Sequence, residues 1–230
     1  MTKQDYEDFL QVYDRKIQDG YNYEEMCSFL QAWIEDFIDL ADKYFVDSGE
    51  YVLDILDDIR EDHKTVANYA SSLHDDRNQS YDNQPYSVHL TQVYNVLMPS
   101  FGDEDVIMNA SLCHDLLEDT GITYNDLKTF VGRDVADVVY DVTNELGKNR
   151  KERAEKTYPK IAANPLAVIV KVADRIANTT YSKKSGSSMY KKYCSEYPSF
   201  RQALYNNFPN HPYNDRIEHL WKVLEECSNQ

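Results

Sequence analysis

Four side chains able to bind or move a cation or a proton crowd into one short stretch of this chain. They are His114, Asp115, Glu118 and Asp119, within Ser111-Leu112-Cys113-His114-Asp115-Leu116-Leu117-Glu118-Asp119-Thr120. On a helix, residues four apart stack on one face, which sets His114 over Glu118 and Asp115 over Asp119. Three carboxylates within a turn and a half repel one another unless a cation or solvent separates them. A divalent metal supplies such a cation. A solvent-facing acidic helix end is the competing explanation, because the chain holds 40 Asp and Glu. Two distant residues weigh towards metal. His89 follows Pro85-Tyr86-Ser87-Val88 and is placed mid-helix among apolar and aromatic neighbours, where a hydrogen-bonded core histidine is its plainer role. Asp174 interrupts the otherwise apolar run Ala167–Ala177. A buried carboxylate has to be paired or metal-bound, and Lys171 or Arg175 is the competing partner for it.

Helices must position these groups. With 7 Gly and 7 Pro in 230 residues, the chain is poor in breakers, which favours an all-α fold over a strand-dense one. Apolar periodicity predicts an acidic N-terminal helical extension over 1–63 and a helical domain over 64–230. Within the domain, a short helix around 66–73 leads to a polar loop ending at Pro85. Helices follow over about 87–97 and 104–119, with Gly121 beyond as a stop. Val135, Val138, Val139 and Val142 recur at helical spacing, and Asn164-Pro165 starts a helix reaching about Tyr181. Further helices are expected near 189–193, 199–208 and 212–227.

The net charge of −16 argues against nucleic acid as a partner. The charge is uneven, however: between Lys148 and Lys192 lie twelve Lys or Arg and three acids. Such a basic island suits a small polyanion, or is simply a solvated surface. No stretch approaches the roughly 20 apolar residues of a membrane span, and the acidic N-terminus has no apolar signal region. Four scattered cysteines are consistent with reduced thiols. The expected setting is cytoplasmic, with no membrane partner. The N-terminal helices offer a surface for an oligomer or protein partner, although packing on the domain is the simpler use for them.

His89, His114, Asp115 and Asp174 also form an H…HD…D pattern that resembles the HD superfamily of phosphohydrolases. Leu112–Thr120 resembles the "LLHDVVEDT" segment of RelA/SpoT-type (p)ppGpp hydrolases. Pro85–His89 is similar to their "PYIVH", and Val170–Asn178 to their "VKLADRLHN". The likeness runs from about Tyr69 to Tyr181. It implies an HD-domain helical bundle holding one divalent metal, typically Mn²⁺, on His89, His114, Asp115 and Asp174. It further implies that Glu118 and Asp119 orient water and manage protons, with Asn178 near the substrate. Lys148, Arg150, Lys151 and Lys156 would offer charge to a pyrophosphate. The chain departs from the pattern where the family carries a base-stacking Arg: the loop after His74 is one residue longer, lacks "SG", and has Arg77 out of register. Thr180 stands where an Arg is common. The expected activity is removal of the 3′-pyrophosphate of a guanosine or adenosine alarmone, a small-molecule phosphorylated nucleotide. Alternatives are a phosphatase acting on another phosphorylated nucleotide such as NADPH, or a non-catalytic nucleotide-binding or interaction module.

Overall fold

In a computed structural model, the structure describes residues 61–205, 208 and 210–228. The expected extension over 1–63 and its role as a partner surface therefore lie outside the described residues, save for 61–63. Those three residues open α1, Glu61–Asp76, which is longer at both ends than its apolar pattern predicts. The chain continues through β1 (Ser80–Tyr81), β2 (Gln84–Pro85), α2 (Ser87–Phe101), α3 (Asp105–Cys113) and α4 (Leu116–Asp119). Then come α5 (Tyr124–Val131), α6 (Arg133–Val142), α7 (Arg150–Ala162), α8 (Pro165–Lys184), α9 (Met189–Leu204) and α10 (Asn214–Ser228). The fold is a helical bundle of the expected class, and no described helix is long and apolar enough to cross a membrane.

The bundle is built around α8. Ala167, Val168, Ile169 and Val170 are all fully buried, as a helical turn apolar on every side must be. The neighbours α2, α3, α6, α7, α9 and α10 all pack against it. Its start is fixed locally: the Asn164 side chain accepts from Leu166 N–H at 3.0 Å and donates to Asp141 at 2.8 Å, with Pro165 in the first turn. The valine stripe of α6 is buried as predicted. The α5 helix begins with a reciprocal Thr123–Asp126 capping box.

Three local predictions need correction. The polar loop before Pro85 folds as an antiparallel hairpin, with Ser80 opposite Pro85 and Tyr81 opposite Gln84. Asp82 and Asn83 at its tip take φ of 52° and 66°, the left-handed pair that a two-residue hairpin turn demands and that Asp and Asn tolerate. The helix expected over 104–119 breaks after Cys113. There the Ser111 carbonyl, which would continue the helical ladder, accepts from the His114 imidazole at 2.7 Å. Helix α9 runs unbroken from Met189 to Leu204, with Pro198 inside it, where two helices were expected.

Because Ile169 is fully enclosed in the second turn of α8, Ile169→Ala should destabilise the fold by about 2–5 kcal/mol. Chemical denaturation would measure this as a lower midpoint at unchanged slope.

Candidate metal centre

Two helices and the break between two others deliver four side chains to one point. His89 comes from the first turn of α2, rather than from mid-helix, and is 2% exposed. His114 and Asp115 occupy the break between α3 and α4, and Asp174 lies on α8. One ligand atom each from His89, His114 and Asp115 lies within 4.8 Å of the others. Asp115 Oδ2 is 3.0 Å from His114 Nε2 and 3.6 Å from His89 Nε2. Asp174 Oδ1 completes the group, 3.4 Å from His89 Nε2 and 3.9 Å from His114 Nε2. The structure thus brings together all four predicted ligands.

The donor set fits a divalent cation. His114 donates from Nδ1 to the Ser111 carbonyl, which aims Nε2 at two carboxylates. Two carboxylates converging on buried imidazole nitrogens call for a positive charge between them, met by a proton on Nε2 in the metal-free protein and by a metal ion that displaces it. Burial alone would lower the His114 imidazole, yet Asp115 and Asp174 outweigh it and push the group up to about 9. Burial likewise opposes ionisation of the two carboxyls. His114 beside Asp115 and Lys171 beside Asp174 nevertheless hold both below the usual carboxylate range. Mixed imidazole and carboxylate donors accept Mn²⁺, Fe²⁺ or Zn²⁺.

Asp174 has its salt bridge as well. Lys171 Nζ lies 3.0 Å from Oδ2, so one oxygen is paired while the other faces the imidazoles. Arg175, the second candidate partner, instead reaches Glu196 at 3.0 Å. Asn178 lies beside the cluster, its amide nitrogen donating to Asp174 Oδ1.

The acidic pair divides in two. Glu118 accepts from Asn144 N–H at 2.7 Å and from its amide at 2.9 Å, clamping the chain just beyond α6. Asp119 has no such two-point clamp among the described residues; partial burial and repulsion from Asp115 and Glu118 outweigh a hydrogen bond from Tyr86 and raise its carboxyl above the ordinary value. Arg77 is exposed and lies against Gly121, where an added Cβ would sit 2.9 Å from its guanidinium. The basic residues are largely neutralised by neighbours. Arg150 forks onto Glu196 at 2.9 and 3.0 Å, and Lys156 bonds to Glu152 at 2.8 Å. Lys151 stands 3.8 Å from Glu155, and Lys148 is exposed. Among the described residues none of these cations bonds to the four-residue cluster.

Two tyrosines at the cluster were not singled out from sequence. Tyr86 donates to Asp115 Oδ2 at 2.5 Å, and its ring stacks on buried His74 at 4.1 Å. Tyr81 stacks on His89 and donates to Asn178 at 3.0 Å. Their signal was the Asp82-Asn83 turn between them, which pins both rings to a short hairpin.

Comparison with known proteins gives the chain a family. The family profile described as "HD domain" matches residues 66–199. The guanosine-3′,5′-bis(diphosphate) 3′-pyrophosphohydrolase MESH1 of Xenopus tropicalis is 30% identical over 117 residues, 49% of this chain and 65% of that protein. The guanosine-3′,5′-bis(diphosphate) 3′-pyrophosphohydrolase of Aquifex aeolicus is 35% identical over 100 residues, 41% of this chain and 14% of that one. The chain thus spans less than two thirds of the length of these relatives. A solved structure of a metazoan SpoT orthologue that hydrolyses ppGpp superposes with a TM-score of 0.56 at 22% identity, covering 74% of this chain and 96% of that one. That likeness concerns the fold alone.

Lys171 and Asp174 are 14% and 11% exposed at the side chain. Removing one member of a buried pair leaves the other uncompensated, so Lys171→Met should cost about 3–5 kcal/mol. Denaturation of the metal-free protein would read this loss.

Proposed function

Since the chain belongs to the HD-domain family, we propose that it is a metal-dependent phosphohydrolase removing the 3′-pyrophosphate of a guanosine or adenosine alarmone. The observation that carries this reading is the His89, His114, Asp115 and Asp174 cluster. The relatives named as 3′-pyrophosphohydrolases support the substrate class. Water would be consumed, and pyrophosphate and the 5′-phosphorylated nucleoside released.

In this proposal the four clustered side chains hold one divalent ion, Mn²⁺ being the family's usual choice. When bound, such an ion supplies Lewis-acid activation of water and of the attacked phosphorus centre. The chain's own residues do the rest. Tyr86 holds Asp115 by its hydroxyl, and Lys171 balances the far oxygen of Asp174. Asp119, with its carboxyl raised, is suited to hold and release a proton beside the cluster. Glu118 acts at one remove by fixing Asn144, and with it the entry to the basic segment. Lys148 and Lys151 are the exposed cations left to meet the pyrophosphate.

The test is a product analysis. The protein is stripped with chelator, Mn²⁺ is restored, and the products from ppGpp, pppGpp, ppApp and NADPH are separated by chromatography. Turnover of an alarmone to pyrophosphate, lost without metal, is expected. Release of inorganic phosphate from NADPH alone would replace the alarmone with a different nucleotide, and no metal-dependent turnover at all would overturn the proposal. Asp115→Ala should lose both bound metal and activity, and surviving activity would refute the assigned ligands.

A further inference from the structure

The hairpin touches the cluster twice, and the contact through Tyr81 has no part in the function proposed above. The Tyr81 ring lies nearly parallel to the His89 imidazole, with centroids 4.8 Å apart at 18°. Tyr181 packs on it at 4.8 Å, tilted by 55°. With two aromatic neighbours in place, this ring is no open platform for a nucleobase. Its hydroxyl is what bears on the site. It donates to Asn178 Oδ1 at 3.0 Å, and the Asn178 amide nitrogen donates onward to Asp174 Oδ1. That oxygen is the one facing both imidazoles, while Oδ2 is held by Lys171 at 3.0 Å.

A carboxylate accepts but cannot donate, so the NH₂ end of Asn178 must face it. The opposite end needs a donor, and Tyr81 supplies one. The amide is thereby pinned at both ends. Outer hydrogen bonds of this kind orient metal-binding carboxylates and tune affinity.

We propose that Tyr81 is a positioning residue for the metal, acting through Asn178 to keep Asp174 Oδ1 turned towards His89 and His114. This inference rests on reading the cluster as a metal centre. A separate tie makes it testable. The Tyr181 hydroxyl donates to Asp82 at 3.0 Å and fastens the hairpin to α8 without involving Asn178. Loss of the Tyr81 hydroxyl therefore leaves the hairpin held down and the ring in place.

Mn²⁺ binding to the full chain would be measured by calorimetry and electron paramagnetic resonance for Tyr81→Phe, Asn178→Ala, the double variant and Tyr181→Phe. Asn178→Ala, which removes the bond to Asp174, should weaken Mn²⁺ binding by about 10- to 100-fold; Tyr81→Phe should weaken it measurably and by no more than that, with little change in the melting temperature of the metal-free protein. The double variant should bind no more weakly than Asn178→Ala. Tyr181→Phe should stay close to the wild type. Unchanged binding by Tyr81→Phe overturns the relay, and so does a double variant whose losses multiply. A loss in Tyr181→Phe equal to that in Tyr81→Phe overturns it too, since general anchoring of the hairpin would then explain both. A wild-type chain that binds no Mn²⁺ overturns the metal centre and the relay together; the other outcomes leave the metal centre standing.

Discussion

Everything near the cluster answers to one constraint: two imidazoles and two carboxylates converge where water is scarce. Isolated charge in such a place is prohibitive. Both carboxylates and one of the imidazoles therefore have assigned neighbours, while His89 Nδ1 has no hydrogen-bond partner among the described residues. Lys171 takes one oxygen of Asp174, Asn178 takes the other, Tyr86 takes Asp115, and the Ser111 carbonyl takes the far side of His114. What remains is two carboxylates and two imidazole nitrogens turned inward, a set whose negative charge attracts a proton or, in its place, a metal cation.

That constraint explains the character of α8. The helix has to be central because Asp174 must reach the meeting point of α2 and the α3–α4 break, yet a central helix is where charge is hardest to keep. The sequence resolves this by keeping every ionic side chain on α8 near the cluster in a pair. Lys171 and Asp174 neutralise each other at one turn's spacing, while Arg175 is passed outward to Glu196. Glu196 also accepts the fork of Arg150. One glutamate thus registers α7, α8 and α9 against each other, and the cation predicted to meet substrate is spent on the fold.

The four clustered residues were legible in the sequence because their types are costly to bury and their neighbours are apolar. Asp174 stood out inside Ala167–Ala177 for that reason. The central position of α8, its Asn164 start and the valine stripe of α6 were equally legible, since periodicity and capping are local. The break at His114 was not. It depends on a side chain competing for a backbone carbonyl, and a helical period runs straight across it. Nor was the division of labour between Glu118 and Asp119 visible, because Asn144 lies 26 residues away. The same holds for Arg150: composition counted its charge, and only the fold shows Glu196 beside it.

The hairpin from Ser80 to Pro85, with Tyr86 at the helix start that follows it, places outer contacts of both carboxylates in a connecting segment. Loops change more freely than the helices they join. The inner ligands sit on buried helices or in the short break between two of them, which the core holds fixed, so they are slow to drift. Their surroundings are not: exchanging this one loop would alter the hydrogen bonds around Asp115 and Asp174 without moving a helix. The fold thereby separates what must be kept from what can be varied, and gives evolution a way to retune the centre while leaving its frame intact.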